Sequence, residues 1–86
     1  MNSVHQAIRV LSRTLFWVTD KYGFFTTAVD SLVADRIVKR FGLNKDHDFH
    51  HADRYEGKGM EVMKDKGSCR VTAYNEKAKR LIEDVL

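Results

Sequence analysis

Eighty-six residues carrying a net charge of +3, with 43% hydrophobic and 31% charged side chains, allow one domain with a small core and exclude the apolar-poor composition of a disordered chain. The single cysteine, Cys69, excludes an intramolecular disulfide and a cysteine-based zinc framework, and fits a reducing compartment. Arg9 and Arg13 interrupt the apolar amino-terminal stretch, which argues against a signal peptide or membrane span and for a cytoplasmic protein.

Ser3 is a suitable N-cap for a first helix. Behind it, Val4, Ile8, Leu11, Leu15, Val18 and Tyr22 recur at steps of four and three, a heptad seam, and Ala7, Val10 and Trp17 widen its apolar face. Gly23 ends the element. Thr26 or Thr27 then caps a second helix that runs to Phe41, with Val29, Leu32, Val33, Ile37 and Phe41 as its buried stripe and Gly42 behind its last turn. Residues 43–58 are polar, and a short helix is predicted from Lys45 to Arg54.

The stretch from Gly59 to Asn75 reads as a β-hairpin turning at Asp65-Lys66-Gly67-Ser68. Its pattern predicts Met60 opposite Ala73, Val62 opposite Val71 and Lys64 opposite Cys69; a three-residue loop would set Val62 against Arg70 and break the alternation. Asn75 caps a last helix whose stripe is Ala78, Leu81, Ile82 and Val85. The predicted order is α-α-(α)-β-β-α, an α+β fold in one small domain. Residues 1–42 form a helical half, 43–58 a polar connector, and 59–86 the hairpin with the carboxy-terminal helix.

Charge is unevenly placed: +3 over residues 1–42, −1 over 43–58 and +1 over 59–86. Lys58, Lys64, Lys66 and Arg70 surround the predicted hairpin, and Tyr74 shares its polar face with Met63. An aromatic ring on a basic β-surface can stack on an unpaired base. Arg36, Lys39 and Arg40 cluster on the second helix and can contact phosphate; the competing reading is a solvated helix face, with Asp35 four residues before Lys39.

Three of the four histidines fall between Asp46 and Arg54. On a helix His47 and His51 would share a face, with His50 adjacent, and these imidazoles can ligate zinc. A structural zinc site takes about four ligands, and only His5 and Cys69 remain as further soft donors. No serine or second cysteine is placed to pair with a histidine base, so no catalytic residue is assigned.

The sequence therefore points to a small non-enzymatic regulatory binding protein that contacts nucleic acid, RNA or a protein–RNA complex, through a basic hairpin surface. The alternative is a protein-binding inhibitor or adaptor of the phage or mobile-element kind acting on a host enzyme; the third reading is a metal-binding domain using His47, His50 and His51. The spare apolar row on the first helix, with Val4, Ile8, Leu11, Leu15, Val18 and Trp17, suggests a homodimer or partner interface.

Overall fold

A computed structural model describes residues 15–85. Among them, six antiparallel strands form one sheet: β1 Val18–Thr19, β2 Phe25–Val29, β3 Asn44–Lys45, β4 Asp53–Gly57, β5 Met60–Asp65 and β6 Ser68–Ala73, in the spatial order β1-β2-β6-β5-β4-β3. Two helices, α1 Ser31–Phe41 and α2 Glu76–Val85, complete the described chain. The expected order of two amino-terminal helices followed by a hairpin is thereby overturned.

The corrections have local causes. The expected first helix falls mostly on residues outside those described. Its final part, from Leu15 to Gly23, is not helical but contains β1 and the turn into β2. Asp20 holds that turn: its carboxylate accepts the N–H groups of Tyr22 and Phe24, both at 2.9 Å, an arrangement that favours a turn over a helix. The second expected helix loses its first third to β2. Phe25-Thr26-Thr27-Ala28-Val29 is rich in β-branched and aromatic residues, and it pairs with β6 over its whole length, from Phe25↔Ala73 to Val29↔Cys69.

Asp30, not a threonine, caps α1, accepting Val33 N–H at 2.8 Å. At the other end Gly42 takes the left-handed conformation, and the Leu43 N–H returns to the Val38 carbonyl at 3.0 Å. This closure also tucks Leu43 into the core.

Residues 43–58 hold no helix and instead supply β3 and β4. Asp46 turns the chain between them by accepting Asp48 N–H through its side chain and Phe49 N–H through its carbonyl. The β5–β6 hairpin has the register predicted from its alternation, with Met60↔Ala73, Val62↔Val71 and Lys64↔Cys69. Lys66 and Gly67 both have positive φ at its tip, as do Lys58 and Gly59 between β4 and β5, the backbone shape that suits two-residue hairpin turns. α2 begins where the sequence places it: Asn75 accepts Ala78 N–H at 2.8 Å.

Both helices pack on one side of the sheet, here the inner face. Ala34 and Ile37 from α1, Ala78 and Ile82 from α2, and Leu43 meet Met60, Val62, Cys69, Val71 and Ala73 in one buried cluster. Leu15, Trp17, Phe25, Val29, Val33, Val38, Phe41 and Tyr55 close its margins. Among the described residues no helix is long and apolar enough to cross a membrane.

Candidate binding surface

Strand alternation sends every second side chain to the outer face, which neither α1 nor α2 covers. Register partners there form rows across the sheet. One row runs Val18, Thr26, Thr72, Glu61, Glu56, Asn44, and the next runs Ala28, Arg70, Met63, Arg54. A groove of about 380 Å³ lies over these rows, lined by Asp20, Thr26, Glu61, Met63, Asp65, Ser68, Arg70 and Thr72. A second, of about 420 Å³, adds Phe16, Val18 and Ala28 and shares Asp20, Thr26 and Arg70 with the first. Arg70 thus stands between two concavities that together extend from β1 to β5. Phe16 is 80% exposed and Val18 61%, so the β1 side offers large apolar groups to solvent.

The β4–β5 side is organised by Arg54. Its Nε donates to Glu61 Oε2 at 2.6 Å, its Nη1 to Asp46 Oδ2 at 2.8 Å and its Nη2 to Glu56 Oε2 at 2.7 Å. The sequence makes this arrangement necessary. Register sets Glu56 directly opposite Glu61 on one face, an unfavourable like-charge pair. Arg54, two residues before Glu56, comes from the next row to neutralise both. Asp46 is brought within reach by its own backbone N–H, which donates to the Arg54 carbonyl at 2.7 Å.

Hydrogen bonding to Glu61 is the chief reason that Arg54 holds its proton more tightly than a free guanidinium, and Glu56 and Asp46 add to it. Tyr74 completes the cluster: its hydroxyl reaches Glu61 Oε2 at 3.5 Å and its ring meets Phe24 edge-on at 4.9 Å. Burial, followed by the Glu61 charge, pushes the Tyr74 phenol above its ordinary pKa.

The residues expected to bind nucleic acid are dispersed. Arg70 and Tyr74 lie on the outer face. Lys58 and Lys66 occupy turns at opposite ends of β5. Lys64 is on the inner face, where it ion-pairs with Asp35 of α1; that hydrogen bond raises its pKa. Arg36, Lys39 and Arg40 are exposed on α1, on the helix side of the molecule.

Of the expected interface residues, Val4, Ile8 and Leu11 lie outside the described residues. Leu15 and Trp17 pack against the core, whereas Val18 points out. Leu15, Trp17 and Val18 therefore do not lie on a helical seam. His47, His50 and His51 are exposed on the β3–β4 loop, His51 lying edge-on to Phe49 at 5.7 Å. Among the described residues no group of three or more His, Cys, Asp or Glu side chains converges as a metal site.

Asp20, Thr26, Asp65 and the Arg54 cluster are the parts of the surface that sequence reasoning missed. A signal was present in the alternation of Phe24, Thr26 and Ala28 with Phe25, Thr27 and Val29. Comparison of the chain with protein-family models, with curated proteins and with solved structures finds no match.

Proposed function

We propose that this chain is a non-enzymatic binding module that docks a partner protein on the outer face of its sheet. The observation that carries this reading is the pair of adjoining grooves around Arg70, flanked by exposed Phe16 and Val18 on a sheet face that neither helix covers. A concave surface that joins a polar groove to an apolar one holding Phe16 and Val18, with a central arginine, suits a protein contact, where aromatic and arginine side chains supply most of the binding energy. The carboxylates around Arg54 work against a polyanion at the same place.

A second reading, binding of nucleic acid, is supported on the opposite side of the molecule. Arg36, Lys39 and Arg40 are exposed on α1 and make no ion pair with a described carboxylate. Two variants separate the readings in capture experiments with nuclease-treated lysate. Combined Phe16→Ala and Met63→Ala is expected to cut retention of a stoichiometric partner by about tenfold or more, while Arg36→Glu with Lys39→Glu leaves it unchanged. Capture that is abolished by nuclease, or by the α1 variant alone, would establish the second reading in place of the first.

A further inference from the structure

The first groove on the outer face has a charge opposite to that of the whole chain. Among the described residues, Asp20, Glu61 and Asp65 line it with Arg70 in return, a formal −2 on a chain whose total is +3. Arg36, Lys39 and Arg40 place excess positive charge on α1, whereas α2 is balanced, with Lys77, Lys79 and Arg80 against Glu76, Glu83 and Asp84. This separation restricts what can occupy the grooves. A second copy docking groove to groove would oppose −2 with −2, and like-charge juxtaposition across an interface is unfavourable.

We infer that the occupant of the outer face is a cationic protein surface, rich in arginine or lysine and bearing apolar side chains for the Phe16–Val18 side. The inference rests on the docking reading above and adds the partner's chemistry. Its second support is preorganisation. Arg54 holds Glu56 and Glu61 by one oxygen each, Oε2, so Oε1 of each glutamate remains an acceptor on a carboxylate already fixed in place. Pairing with a fixed carboxylate immobilises less side-chain freedom than pairing with a mobile one. Asp65, at the end of β5, is exposed beside the same groove and makes no ion pair with a described cation. A partner guanidinium can therefore meet Glu56, Glu61 or Asp65, while its apolar neighbours reach Phe16, Val18 and Met63 around Arg70. Surfaces of this composition are those that otherwise receive polyanions.

The test uses the full ¹⁵N-labelled chain and two probes, nona-arginine and heparin, titrated separately at low salt. Nona-arginine is expected to shift the amides of Glu56, Glu61, Met63 and Asp65, with an affinity that falls several-fold in Glu56→Gln combined with Asp65→Asn and falls again as salt is raised. Heparin is expected to move α1 and leave these strands alone. Nona-arginine shifts confined to Glu83 and Asp84, or affinity unchanged in the double variant, would overturn the inference. If either occurs while Phe16→Ala with Met63→Ala still abolishes protein capture, the docking reading stands and only the partner's charge is wrong. Heparin binding on the strands themselves would overturn both.

Discussion

The two faces of β5 and β6 are made by alternate residues of the same dozen positions, yet they do opposite work. Inward, Met60, Val62, Val71 and Ala73 are fully buried under α1 and α2. Outward, Glu61, Met63, Ser68 and Arg70 border open grooves. Stability is thus concentrated on one side, where apolar area leaves water, and the other side is released from packing constraints and can carry charge. The largest test of this contrast is a pair of truncations. Ile37→Ala, in the α1–sheet core, is expected to cost about 2–5 kcal/mol, whereas Met63→Ala should cost no more than about 0.5 kcal/mol, both read from urea denaturation. A Met63→Ala cost equal to that of Ile37→Ala would mean that the outer face is covered in solution.

Arg54 qualifies the contrast, because it gives the outer face one structural task. Without it, Glu56 and Glu61 oppose each other directly and Asp46 loses the side-chain contact that ties the end of β3 to β4. Arg54→Met is expected to destabilise by about 1–2 kcal/mol, a charged hydrogen-bond network reduced by partial solvent exposure. The deficit should narrow as salt screens the glutamates. Arg54→Lys should recover only part of it, since one ammonium cannot reproduce a planar fork serving three carboxylates. Equal stability of Arg54→Met and the parent at low salt would show that the cluster is only electrostatic decoration.

The inner face was far more legible in the sequence than the outer one. The hairpin register followed from Met60, Val62, Cys69, Val71 and Ala73, because a one-residue slip would bury Arg70. The last helix followed from Asn75 and the Ala78–Ile82 stripe. The amino-terminal part is ambiguous because Leu15, Val18 and Tyr22 fit a heptad as well as Leu15 and Trp17 fit a strand-like alternation, and spacing alone does not choose between them. Pairing chooses: Val18 and Thr19 pair with β2, which in turn pairs with β6, forty or more residues further along the chain. The outer surface depends on pairing as well, here over a short separation. Arg54, Glu56 and Glu61 become neighbours only once β4 is a strand in register with β5, whereas the spacing of the histidine-rich stretch before them also fits a helix.

The smallest expected effect lies where the two faces meet in charge. Lys64 is the one lysine among the inward positions of β5, and it survives there by pairing with Asp35 of α1. Its folded pKa is raised, first by that hydrogen bond. The pair's contribution is therefore fully present below the unfolded lysine pKa of about 10.4 and is lost as pH rises through the raised folded value. Asp35 is well exposed, so the contribution near neutrality should be at most about 0.5–1 kcal/mol. Tyr74 gives the outer face an analogous alkaline dependence, since burial and Glu61 both raise its pKa and its ionisation in the folded state is correspondingly disfavoured. Asp35→Asn should flatten the part of the alkaline stability loss due to Lys64 and leave the part due to Tyr74; Tyr74→Phe should do the reverse. Circular dichroism melts stepped from neutral pH into alkali resolve the two. An Asp35→Asn profile parallel to that of the parent would show that Lys64 is held inward by packing of its aliphatic stem alone, with no net help from the ion pair.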